Sequence, residues 1–337
     1  MEPYEAKIQT ANGTEEAVEA PSEPQLDSGE PPPESLSSPS APASIDTCIC
    51  GRPGGRCICA KSGASETRDM APPSYVYSIG RIEARFPNLS VEREFAQVRA
   101  LEKRLTAGKT EQETLYAVLS KYRYLSRQMC YVFAVQGVET YILVPEDPAD
   151  FGLLLVEAIK PPADAAEIQF DVVIGVRGPI AQPDRCGGLM IPVVTFDQIY
   201  SFTKSSLLES IPVPNTFSEA TRRMDPAAFR RSSEEVFDRI IQMADNAGAT
   251  DEHRALNYAA VRHPGVYARV AQEHAENRSL TAVEVRRSAL GSVRSVMDVI
   301  FAFTDRATDV VEKYSCRVDV SGEFPFLVTK LSPFYER

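Results

Sequence analysis

Seven cysteines and three histidines carry most of the covalent and metal-binding chemistry that this 337-residue sequence offers. Four of the cysteines fall in one short stretch, Cys48-Ile-Cys50 and Cys57-Ile-Cys59, on either side of Gly51-Arg-Pro-Gly-Gly-Arg56. One reversal of the chain at that Gly/Pro turn brings Cys48, Cys50, Cys57 and Cys59 together. Four thiolates in tetrahedral reach suit Zn²⁺; two cross-strand disulfides or four free thiols are the other readings of the same spacing. Cys186 differs from the remaining two. It lies in Gln182-Pro-Asp-Arg-Cys-Gly-Gly-Leu189, where a loop thiol beside glycine amides is a candidate nucleophile. Cys130 and Cys316 sit in apolar runs and read as small core residues.

Only His253, His263 and His274 can supply an imidazole. Asp251-Glu-His-Arg254 opens a predicted helix, where Asp251 and Glu252 complement the helix dipole. His253 and Asn257 stand one turn apart on one face, so a small polar binding site is expected there, with a dipole-stabilised charge cluster as the alternative. Arg177 is a candidate anion or carboxylate contact, with a structural ion pair as the alternative. Gly175-Val-Arg-Gly178 lacks the third glycine of a dinucleotide loop and reads as a plain loop. Gly108-Lys109-Thr110 is no P-loop, because the position five residues before Gly108 is Lys103 and not the glycine that phosphate wrapping needs. Nucleophile-elbow and zinc-helix signatures are absent from the sequence.

The elements that must position these residues begin after a long polar segment. Residues 1–47 hold eight prolines, ten acidic residues and one lysine, and read as a disordered acidic tail. Their net charge of −9, out of −11 for the whole chain, leaves −2 for residues 48–337, so the folded part is close to neutral. With no basic stripe in evidence, a phosphate-driven nucleic-acid binder is not expected. The start lacks a signal-peptide pattern and no apolar run is long enough to span a bilayer, so a cytoplasmic protein without membrane contact is expected. Residues 48–73 form the cysteine-bearing linker, and residues 74–337 the folded part.

In that part, Tyr75–Ile79 reads as a strand and Ser90 as the N-cap of a helix carrying Val91, Phe95, Val98, Leu101 and Leu105. Thr110 and Glu113 form a capping box for a second helix. Residues 131–135 and 138–144 read as a hairpin turning at Gly137. Residues 151–159 read as helix, and 168–176 and 191–196 as strands. Helices follow over 226–247 and 250–277, divided at Pro264. Strands over 293–303, 308–320 and 324–330 complete the chain. Strands and helices come in blocks, which makes the fold class α+β, with antiparallel sheet elements, a helical block, and either one large domain or two subdomains.

Several strings are specific enough to compare with a known family. Tyr75-Val-Tyr-Ser-Ile-Gly-Arg-Ile-Glu-Ala-Arg-Phe-Pro87, Gly137-Val-Glu-Thr-Tyr-Ile-Leu143 and Asp171-Val-Val-Ile-Gly-Val-Arg-Gly-Pro-Ile180 are three of them. Phe196-Asp-Gln-Ile-Tyr-Ser-Phe202, residues 243–258 and the closing Glu323-Phe-Pro-Phe-Leu-Val-Thr-Lys330 add to the series. Over roughly residues 74–337 the chain resembles the C-terminal domain of unknown function of the cyanobactin maturation proteases. With no protease or oxidase signature ahead of it, the resemblance implies a stand-alone form of that domain. It also implies a place in ribosomal modified-peptide biosynthesis, with a precursor peptide or a subtilisin-like maturation protease as partner. No catalytic residue transfers. The leading expectation is a non-catalytic accessory or binding module. The alternatives are a peptide-modifying enzyme using Cys186 or His253, and a zinc-stabilised assembly protein using the four clustered cysteines.

Overall fold

A computed structural model describes residues 73–211, 226–242, 246–290 and 293–335. The acidic tail and the Cys48, Cys50, Cys57 and Cys59 cluster lie outside the described residues. The first strand, β1 (Tyr75–Arg85), is twice as long as the run recognisable in the sequence. Four helices follow it: α1 (Leu89–Leu101), α2 (Lys103–Thr106), α3 (Glu111–Lys121) and α4 (Arg123–Ser126). The cap of α1 is Asn88 and not Ser90. The Asn88 Oδ1 atom accepts from the N–H groups of Ser90 and Val91 at 3.0 and 3.1 Å, which places Ser90 inside the first turn. Thr110 and Glu113 do form the capping box that opens α3.

The hairpin β2 (Cys130–Val135) and β3 (Val138–Pro145) turns at Gln136-Gly137, both with positive φ as a tight hairpin turn requires. Helix α5 (Asp150–Ala158), β4 (Gln169–Ile180) and β5 (Pro192–Thr203) complete a closed barrel of order β1-β2-β3-β5-β4. Every pair is antiparallel except β3 with β5. That order, with a helix between β3 and β4, is the topology of an OB-fold barrel, an architecture that does not by itself assign a function. Gly175 and Gly178, expected in a loop, lie within β4, which runs on to Ile180.

The remainder holds α6 (Lys204–Ser210), α7 (Pro226–Ile241), α8 (Asp251–Arg262) and α9 (Pro264–Ala275), then a four-stranded antiparallel sheet. Its strands, in spatial order, are β6 (Arg278–Arg287), β7 (Val296–Asp305), β8 (Val311–Asp319) and β9 (Phe326–Pro333). Helix α9 ends where Asn277 takes a left-handed conformation (φ 66°), a common helix terminator. The architecture is α+β, with mostly antiparallel sheets.

Two apolar cores share β1 and β4. Val76, Ile82 and Val173 point into the barrel core with Val91, Phe95, Leu119, Phe133 and Phe196. Tyr77, Ile79, Val172 and Ile174, on the opposite faces, join a second core with α6–α9 and the sheet. Burial on both faces explains the unbroken Val172-Val-Ile174 run. Helix α8 is bolted to this arrangement by polar contacts as well. Asn257 donates to the Tyr77 carbonyl at 2.9 Å, and the buried Arg254 guanidinium donates to the Val320 carbonyl at 2.7 Å.

The path of β1 decides where the barrel stays open. Residues 75–80 pair with β4, whereas residues 81–85 pair with β2. The change of partner falls at Gly80, where a Cβ would lie 2.4 Å from the Ala134 carbonyl oxygen, so only glycine allows the strands to cross this closely.

Candidate functional site

The residues singled out by chemistry do not converge. Cys186 is bonded to Cys130 (Cα–Cα 5.4 Å), so it is not a free thiol, and neither cysteine is the isolated residue its local sequence suggests. The disulfide pins the β4–β5 loop across the outside of β2 and β3. There Cys186, Leu189 and Ile191 pack on Cys130, Val132, Ile142 and Ala181. Cys316 is fully buried, and burial pushes its thiol up to about 12, which leaves it inert at neutral pH.

On α8, the Thr250 side chain caps the helix by accepting from the His253 N–H at 3.2 Å, and Asp251 lies 3.6 Å from Arg254. Glu252 is exposed and His253 half-buried. Asn257 is buried, holding β1 and exchanging side-chain hydrogen bonds with Asn246 at 2.7 and 3.2 Å. Its amide therefore serves the fold and does not share an open polar site with His253. Arg177 is exposed on β4, without an ion pair among the described residues.

A different place has the geometry of a binding site. A groove of about 610 Å³ runs between the C-terminal half of β1, helix α1 and the start of α3. That volume is in the usual range for ligand pockets. Its apolar floor is Ile82, Phe86, Phe95, Leu115 and Ile159. Its rim carries Arg81 and Arg99 against Glu83, Glu92 and Glu111. Of these, only Glu83 forms an ion pair among the described residues, with Arg85 at 3.3 Å. Positions 92, 95, 96 and 99 recur at one-turn spacing and put one face of α1 along the groove.

The strand side of this groove is a free sheet edge. The last β1–β4 pair is Gly80 with Asp171; beyond it Gln169 and Phe170 pair only with β5. The Ile82 N–H points to the side left open and is taken by Asp171 Oδ2 at 2.8 Å. The same carboxylate accepts from Ser201 Oγ at 2.6 Å and Gln169 Nε2 at 3.3 Å. Burial raises the Asp171 carboxyl to about 6 despite these three donors. Because backbone groups alternate between the two edges of a strand, the N–H and C=O of Ala84 face the open side too. Sequence reasoning missed this site. The alternation of Ile82, Ala84 and Phe86 with Arg81, Glu83 and Arg85 is a readable strand signal, but nothing in it shows that the strand changes partner.

Residues 223–334 match a family model described as PatG C-terminal. The chain carries a PatG C-terminal-like domain. A solved structure titled "PatG Domain of Unknown Function" matches with a TM-score of 0.62 and 18% identity, over 78% of this chain and 99% of that one. At that identity the likeness is one of fold. No curated protein matches the chain. The PatG C-terminal match takes in α7 to β9, hence Asp251, Glu252, His253 and Asn257. The structural match is longer than that stretch and must include barrel residues. The β1 groove, Arg177 and Cys186 lie ahead of the PatG C-terminal match. Among the described residues no helix is long and apolar enough to cross a membrane.

Proposed function

We propose that this domain is a non-catalytic recognition module of ribosomal modified-peptide maturation, and that it binds a segment of a precursor peptide. The β1 groove carries this reading: it joins an apolar floor, a rim of both charges and an unpaired strand edge, which are the three things a peptide needs to be held by side chains and backbone together. The cyanobactin setting rests on the resemblance of residues 74–337 and the PatG C-terminal match. The enzyme reading loses its nucleophile while Cys186 is bonded to Cys130.

Calorimetric titration of the full chain with synthetic peptides spanning the leader and core of a cyanobactin-type precursor tests the proposal. Saturable binding that Ala96→Trp abolishes is the expected result, because Ala96 is exposed on the face of α1 that lines the groove and an indole there fills it. If no peptide of the series binds, the recognition reading is wrong.

A further inference from the structure

The groove dictates a mode of recognition as well as a place, and this inference rests on the peptide-binding reading above. We infer that the bound segment is extended and adds to the barrel as a further strand, pairing with β1 along Ile82–Phe86. On its inner side this part of β1 is paired with β2 in regular register from Arg81–Ala134 to Arg85–Cys130. On its outer side the ladder to β4 has stopped. Asp171 binds the Ile82 N–H there, and no protein partner takes the N–H or C=O of Ala84 among the described residues. An edge with unpaired backbone groups is a template for another strand. A helical ligand would fill the volume and leave those groups unpaired, whereas a strand pairs them.

The occupant follows from size and charge. The open edge, Ile82–Phe86, is no longer than one short strand. A short peptide fills such an edge, whereas a second copy would need a face of roughly 20–30 residues a side. With Glu83 paired to Arg85, the rim leaves Glu92 and Glu111 against Arg81 and Arg99, a balance that favours a segment carrying both charges. Alternate side chains of an added strand point to opposite faces. One set meets Phe86, Phe95, Leu115 and Ile159 and must be apolar; the other meets Arg81, Glu83 and solvent and carries the charge.

A fluorescein-labelled octapeptide in which valines alternate with lysine and glutamate is a suitable probe, read by fluorescence anisotropy against the full-length chain. In an N-methyl scan of the probe, methylation at every second residue should weaken binding by about tenfold, the loss of one hydrogen bond, while the intervening positions change little. Ala84→Pro deletes an N–H that the free protein does not use, so it should keep the unfolding transition and lower affinity by about tenfold too. A flat N-methyl scan overturns strand addition even where the octapeptide binds, and the scan needs no protein variant to fold. Absence of octapeptide binding at millimolar concentration also overturns strand addition, while the precursor titration judges the recognition reading separately. A dimer in sedimentation velocity that Ala84→Pro dissociates would assign the edge to a second copy and refute the peptide.

Discussion

Removing the Cys130–Cys186 disulfide should destabilise the domain by an amount that its position in the chain sets. The bond closes a loop with a sequence separation of 56. The chain-entropy relation for a loop of that size gives about 4 kcal/mol at 25 °C, at the upper end of the usual 2–4 kcal/mol. The packing of Leu189 and Ile191 on Val132 and Ile142 does not run through the sulfurs, so the reduced loop is expected to keep it. With those contacts kept, the entropy that the unfolded chain regains dominates. Urea unfolding of the Cys130→Ala/Cys186→Ser chain, compared with the oxidised parent, should therefore show a lower midpoint and a steeper slope, because the released loop exposes more surface in the unfolded chain. Amide exchange in residues 181–191 should rise without a matching rise in β4 or β5. Tryptic mapping without reductant should recover Cys130 and Cys186 in one linked fragment. Equal midpoints with and without dithiothreitol, or no linked fragment, would refute the pinned-loop description.

Two further perturbations test how the barrel is held. Burial raises the Asp171 carboxyl to about 6, so the folded state binds this proton more tightly than the unfolded chain. Its stabilisation is complete below the unfolded pKa of about 4 and is lost, by roughly 3 kcal/mol, as pH rises through 6. Asp171→Asn should flatten that part of the stability–pH curve, and urea midpoints that keep the parent's slope between these values would show that another group titrates. Gly175→Ala should cost at least about 2 kcal/mol, because the new Cβ falls 2.3 Å from the Thr195 carbonyl oxygen and 2.6 Å from the Phe196 Cα at the β4–β5 bulge; a melting temperature equal to the parent's would contradict that packing.

Local chemistry was legible in the sequence where it is decided locally. The Thr110–Glu113 capping box, the Gln136-Gly137 turn and the division at Pro264 depend on neighbours a few residues away, and the structure has all three. Strand β6 escaped notice because only Leu280 of its ten residues is buried, so its apolar alternation is faint beside the amphipathic helix it follows. The pairing of Cys130 with Cys186 was not legible. It joins residues far apart in sequence through the folding of β4 over β2, and each cysteine alone looks like a core residue or a loop thiol. Asn257 misled for a related reason: spacing placed it on one helix face with His253, but could not tell that β1 lies against that face.

The same long-range logic explains why one half of one strand is left open. OB-type barrels offer the face of β2 and β3 to ligands, and here that face is covered by the chain's own β4–β5 loop under the disulfide. The N-terminal half of β1 is closed as well. On the side away from β4, the Tyr77 N–H donates to the Gly248 carbonyl at 2.9 Å and the Tyr77 carbonyl accepts from Asn257. The helices and sheet that match the PatG C-terminal model thus seal β1 up to its crossing at Gly80. Past Gly80 the strand turns to β2, and the Asp171 carboxylate at Ile82 is the last piece of the barrel to reach its outer edge. The opening at Ala84 is therefore a consequence of the partner change that closes the barrel. A variant that extended the β1–β4 ladder past Gly80 would fill the open edge and lose the groove, while the β1–β2 seam on the opposite edge would stay.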